Sequence, residues 1–158
     1  MRKKLTLYHA LVVFFSLMLL LVTGCLSIYS VNKKNYENRL RGYLSLTSDV
    51  LRLEEKDNPD ETSAIKDTVN TLSDSGNGLR ITVIDLSGNV IADSDRSEIS
   101  VSHLDREEIK TPGRIVYRYS TTLGKKMMYL AQIDEKNRYY IRVSIPLGNI
   151  FEALKVTI

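Results

Sequence analysis

From Leu5 to Tyr29 the chain is apolar, without an acidic residue and with His9 as its one titratable base. The run exceeds the roughly 20 apolar residues that a bilayer-crossing helix needs, which predicts a membrane helix over 10–29. Arg2, Lys3 and Lys4 precede it and Lys33 and Lys34 follow it; the positive-inside rule then places residues 1–9 in the cytoplasm. From Tyr36 onward, Leu40, Tyr43, Leu44, Val50 and Leu51 keep the three-and-four spacing of one helical stripe, and a long helix over 30–56 continues the membrane helix outward. Leu40, Tyr43, Thr47 and Val50 also fit a heptad seam. Two uses of that stripe stay open: pairing with a second copy, and covering the domain's own core. Asn58-Pro59-Asp60 breaks the pattern, since proline disfavours helix in the residue before it. A second helix over 60–75 follows, with Asp60 or Thr62 as N-cap, Ile65, Val69 and Leu72 on one face, and Gly76-Asn77-Gly78 as its stop.

The period then changes from helical to alternating. In Leu79 to Asp95, two β-branched runs flank Ser87-Gly88-Asn89, the signature of a hairpin. Ser102 with Asp105 three residues on reads as a capping box that opens a short helix, and Pro112-Gly113 closes that insert. Ile115, Tyr117 and Tyr119 alternate with Val116, Arg118 and Ser120 in a strand with one face buried. Met127 to Ile133 and Tyr139 to Ile145 pair around the charged tip Asp134 to Asn137, and Pro146 ends the ladder. The sheet region covers 79–146 with about five antiparallel strands. The fold class is therefore α+β: a membrane helix and a long helix, then one domain over 30–148 built on an antiparallel sheet.

Composition changes this picture little. The 158 residues suffice for one core, and the net charge of +3 is carried by Arg2, Lys3 and Lys4, without which basic and acidic residues are equal in number. A neutral body excludes nucleic-acid binding, which needs a basic surface. Cys25 is the sole cysteine, so no intramolecular disulfide forms. Val22-Thr23-Gly24-Cys25 matches a lipoprotein cleavage box, and a lipid anchor at Cys25 is the alternative to a spanning helix.

Candidate chemistry is sparse. Arg118, Lys125 and Arg142, with Lys126, could hold a small carboxylate or phosphate, and His103 could act as a pH switch, a metal ligand or a ligand contact. Asp93, Asp95 and Glu98, with Asp105, Glu107 and Glu108 beyond them, carry the carboxylate oxygens that a divalent cation prefers. Ser, His and Asp occur without the arrangement of a nucleophile and base, so no catalytic residue and no cofactor is assigned. The chain is expected not to be an enzyme.

In order, the hydrophobic helix, the long helix, Ile84-Asp85 with Gly88 and Asp93-Ser94, His103 to Ile109, Ser120 to Gly124, Met128-Tyr129 and Arg142-Val143 with Pro146-Leu147 resemble one family. It is the extracytoplasmic PAS-like sensor region of PhoR-like, phosphate-regulon-type sensor histidine kinases. The resemblance implies a PAS-like domain outside the cell membrane, a two-component signalling role, and a kinase in the remainder of the protein. It also implies membrane and homodimer partners, with a small molecule, a cation or another membrane protein as candidate signals. Lys110 to Gly113 form a shorter joint than relatives carry, against a roomy pocket there. The alternative function is a lipid-anchored extracytoplasmic binding protein.

Residues 149–158, with Ile150, Phe151, Leu154 and Val156, start an apolar helical register that would lead to a second membrane span. The reading frame beyond the Ile158 codon is expected to encode about 20 apolar residues and then a basic cytoplasmic segment. A stop codon there favours the lipid-anchored alternative.

Overall fold

A computed structural model describes residues 2–57, 61–74, 76, 78–95, 103–121, 123–134, 136 and 138–148. The apolar run and the amphipathic stripe are parts of one helix, α1 (Arg2–Asp57). At 1.5 Å per residue its 56 residues extend about 84 Å. It contains an 18-residue window of mean hydropathy 2.6 whose side chains are entirely unburied, so that among the described residues nothing covers this part of α1, and it fits a membrane anchor. The helix break at Asn58 to Asp60 lies outside the described residues, and α2 (Glu61–Asp74) follows.

Five antiparallel strands form one sheet in the order β2-β1-β5-β4-β3: β1 (Arg80–Asp85), β2 (Val90–Asp93), β3 (Val116–Ser120), β4 (Lys125–Ile133) and β5 (Tyr139–Pro146). β5 lies between β1 and β4, so the last strand among the described residues is the central one. The α+β architecture and the five-stranded sheet match the sequence reading.

Alternation sorts the sheet into two faces. Ile81, Val83, Met128, Leu130, Ile141, Val143 and Ile145 face the helices and pack with Leu40, Leu44 and Leu51 of α1 and Ile65 and Val69 of α2. The opposite face carries Ile84 and Ala131 against Ile109 of the insert. Two glycines set the turns. An added Cβ on Gly76 would stand 2.6 Å from that of Leu79, and Gly88 takes φ 92° in the β1–β2 turn, a conformation glycine adopts without strain. In that turn Asp85 accepts hydrogen bonds from the Asn89 side chain and backbone N–H at 2.9 and 2.8 Å, which hold its carboxyl below the usual carboxylate range.

The structure decides which face of β3 is buried and changes one expectation. The buried face of β3 carries Val116 and Ser120, while Tyr117 and Tyr119 are exposed. As an edge strand, β3 packs Val116 against Met127 and Tyr129 and turns its tyrosines to the α1 side. The insert helix, α3 (Glu107–Lys110), starts later than the capping-box reading placed it. Its N-cap is Arg106, without a side-chain cap, and the preceding turn is closed by the Arg106 N–H donating to His103 O at 3.2 Å. Asp105 belongs to that turn, and Ser102 lies outside the described residues.

Leu40 and Leu51 are 0% and 1% exposed, whereas Leu46 is 48% exposed. Leu40→Ala or Leu51→Ala should each cost about 2–5 kcal/mol of unfolding free energy, and Leu46→Ala within about 0.5 kcal/mol, by denaturant titration of the chain in detergent. Equal losses at all three would place the core on another face of α1.

Candidate functional site

The sheet face away from the helices carries a row of buried charges. β3 and β4 pair Arg118 with Met127, and β4 and β5 pair Ala131 with Arg142. Met127, Tyr129 and Ala131 share one face of β4, so the two arginines lie on that face with the Tyr129 ring between them. Their guanidinium carbons stand 4.1 Å and 5.7 Å from the ring centre, Arg118 the nearer, within cation–π range. The insert supplies the counter-charge. Glu108 of α3 is fully buried, and its Oε1 lies 3.0 Å from Arg118 Nη2 and 3.6 Å from Arg142 Nη1. One carboxylate thus faces two guanidinium groups.

The row continues toward β2. Arg142 Nη2 donates to Thr82 Oγ1 at 3.1 Å, and Thr82 donates to Asp93 Oδ2 at 3.1 Å. Asp93 receives two parallel hydrogen bonds from Arg80, both 2.9 Å, the strong bidentate geometry, and Asp95 lies 3.1 Å from the same guanidinium. Burial lowers the pKa of Arg142, opposed by Glu108 and then Asp93. Burial likewise acts to lower that of Arg80, but Asp93 outweighs it and the net shift is upward.

His103 closes the row from the insert side. Its backbone N–H donates to Gly88 O at 3.1 Å, tying the insert to the β1–β2 turn, and its Nδ1 stands 3.2 Å from Arg142 Nη1. A guanidinium only donates, so Nδ1 accepts and the proton of the neutral ring sits on Nε2. Burial pushes the His103 pKa down to about 4, and the nearby charges of Arg142 and Arg106 add to that effect. The ring is neutral at pH 7. His103 Nε2, Glu108 Oε2 and Arg118 Nε are buried without a hydrogen-bond partner among the described residues, so the cluster presents two donors and one acceptor that the fold does not use.

Of the ligand residues expected from sequence, the structure brings Arg118, Arg142 and His103 together and leaves Lys125 apart, exposed at the start of β4. Glu108, Arg80 and Thr82 were missed as partners. The only signal for them was two arginines on strands with no assigned counter-charge. Asp93 and Asp95, expected as cation ligands, instead engage the internal cation of Arg80; Glu98 lies outside the described residues, and no group of three metal-ligating side chains occurs among the described ones. Leu40 and Thr47 of the heptad stripe are buried in the chain's own domain, with Tyr43 and Val50 half-buried at its margin. Cys25 is exposed on α1, which runs unbroken past it.

Comparison with known proteins places the fold. No family model matches the sequence, and no curated protein is significantly similar to it. Among solved structures, the chain is similar to a methyl-accepting chemotaxis protein from Vibrio parahaemolyticus, with a TM-score of 0.56 and 12% identity over 78% of this chain and 99% of that one. It also aligns with the ligand-binding domain of the Campylobacter jejuni chemoreceptor Tlp3, solved with 4-methylisoleucine, at TM-score 0.47 and 16% identity over 78% and 62% of the two chains. The first likeness shows a fold shared with a chemotaxis receptor. Neither relative is a PhoR-like kinase, so the finer resemblance drawn from sequence gains no support here.

The depressed His103 pKa fixes a pH dependence. Above pH 6.5 the ring is neutral in both folded and unfolded chains; between 6.5 and about 4 the unfolded chain takes a proton that the folded one refuses. Stability should therefore fall as pH drops through that window, by ~3 kcal/mol at most. His103→Gln should flatten that part of the curve in thermal melts from pH 4 to 7.5, and an unchanged slope would assign the acid sensitivity to other groups.

Proposed function

We propose that the chain is the extracytoplasmic signal-input domain of a membrane receptor, in which a small ligand acts on the buried charge row between sheet and insert. The observation that carries this reading is the unequal distribution of charge along the row. At one end two guanidinium groups, Arg118 and Arg142, face the single carboxylate of Glu108; at the other, Asp93 and Asp95 face the single guanidinium of Arg80. A zwitterion, with a carboxylate for the first end and an ammonium group for the second, complements both. An amino acid is the ligand class with that charge separation.

Glu108, His103 and Arg142 are at most 4% exposed, so a ligand enters only when the insert moves. That requirement turns binding into a conformational change, because a ligand shifts an equilibrium by its differential affinity for two states. α1, whose inner face packs on the sheet, would carry the change toward the membrane. The positive-inside rule supports an N-terminus in the cytoplasm and this domain outside. The sequence resemblance supports a two-component histidine kinase as the parent protein, and the fold likeness supports the sensor part alone. A homodimer belongs to the same reading; since Leu40 and Thr47 are buried, its contact would fall on the outward face of α1, near the exposed Leu46 and Leu53.

The test is a calorimetric titration of the detergent-solubilised chain with the common amino acids and, separately, with acetate and methylamine. Saturable binding of an amino acid, raising stability by about 2.7 kcal/mol at 100 times its Kd and lost in Arg118→Ala, is the expected result. Binding that survives Arg118→Ala, or the absence of binding by every amino acid tested, would overturn the assignment of this row as the input site.

A further inference from the structure

A second region lies on the α1 side of β3, where α1 emerges from its apolar run. A cavity of about 470 Å³ is lined there by Tyr29 and Lys33 of α1, Tyr117 of β3, Lys125 and Lys126 of β4, and Leu147 after β5. Lys33 Nζ stands 5.2 Å from the centre of the Tyr117 ring, and the Tyr117 hydroxyl donates to Glu37 Oε1 at 2.6 Å. Lys33 also lies 3.9 Å from Glu37. Three ammonium groups thus meet one carboxylate in a chain body whose total charge is balanced.

The position of this cavity along α1 decides its surroundings. The apolar run from Leu5 to Tyr29 is about 37 Å long at 1.5 Å per residue, more than the ~30 Å hydrocarbon core. Tyr29 therefore sits at the membrane–water boundary, where tyrosine is favoured, and Lys33, one turn further, stands at headgroup level. Tyr29, Tyr117 and Leu147 give the cavity apolar walls, and the lysines give it positive charge. The Leu147 N–H donates to Lys126 O at 2.9 Å, so the lysine pair is tied to the end of the central strand.

We infer that this cavity holds the phosphate of an anionic lipid from the leaflet that faces the domain. The inference rests on α1 spanning the membrane and is independent of the amino-acid site. A bound lipid would bridge α1 to the β3–β4 turn and to the exit of β5, so lipid composition would set how firmly the two ends of the domain are joined.

Native mass spectrometry of the full chain in detergent, with phosphatidylglycerol and phosphatidylcholine offered together, tests this. One phosphatidylglycerol per chain should be retained in preference to phosphatidylcholine. Lys125→Gln with Lys126→Gln should weaken that retention about 25-fold, roughly five-fold per lysine, while Lys66→Gln with Lys110→Gln, exposed lysines that do not line the cavity, should leave it unchanged. Circular dichroism confirms that each variant is folded. Equal losses in both pairs, or none in the first, would overturn the site. Glycerol phosphate at millimolar concentration should not displace the lipid; displacement at micromolar concentration would make a soluble phosphate the ligand and overturn the lipid assignment. Extraction of the chain from membranes by alkaline carbonate would overturn the spanning helix itself, a failure distinct from loss of the lysine dependence.

Discussion

The carboxylate of Glu108 is the constraint on which the outer half of this domain depends. Arg142 sits on the central strand, 4% exposed, where a guanidinium cannot escape its charge by losing a proton. It must be neutralised in place, and within the described residues the nearest carboxylate is Glu108, on a helix of only four residues. A helix that short has no stability of its own. It is held because Glu108 answers Arg142 and Arg118 while Ile109 packs on Ile84 and Ala131. Removing one partner of such a buried pair leaves the other uncompensated, so the insert and the sheet are energetically one unit although few apolar contacts join them.

That arrangement divides the domain into a firm half and a half that can be biased. The helix side is an apolar core of leucine, isoleucine and valine from α1, α2 and three strands, whose burial is non-directional and tolerates little rearrangement. The insert side is joined by ion pairs and hydrogen bonds whose strength depends on geometry and on local charge. A ligand that competed for Arg118 or Glu108 would act directly on the second and reach the first only through the strand they share. β5 belongs to both, since Val143 lies in the core and Arg142 in the charge row. Displacement of the insert is therefore felt on the strand that also contacts α1.

Much of this was legible in the sequence, for physical reasons that differ by element. The β1–β2 hairpin declares itself through alternating β-branched residues around a glycine turn, and α1 through an apolar run that passes into a three-and-four stripe. Both signals are local. The face of β3 was not legible, because tyrosine is amphipathic and an alternating strand with tyrosines on one face and valine and serine on the other reads as well in either direction; the structure decides it by placing β3 at the sheet edge. The start of α3 was missed because a serine and an aspartate three residues apart satisfy the capping pattern by spacing alone, whereas Asp105 lies in a turn ahead of the helix. The charge row could be seen only in fragments. That Arg118 and Arg142 share a face follows from the register of two strands against a third, which no single stretch of sequence records.

The two regions on either side of β3 are linked by the same parity rule that obscured them. In β3, Tyr117 points to α1 and engages Glu37, while Arg118, its neighbour, points to Glu108. Adjacent residues of one edge strand thus touch α1 and the insert that closes the charge row. An edge strand has one hydrogen-bonded neighbour and moves at lower cost than a central one. A shift of β3 that shortens one contact alters the other, so the cavity beside α1 and the charge row can be coupled through two consecutive side chains, without a path through the apolar core. The coupling has a definite chemical form: a carboxylate on α1 accepting from a phenol, and a carboxylate on α3 accepting from a guanidinium, both carried by β3.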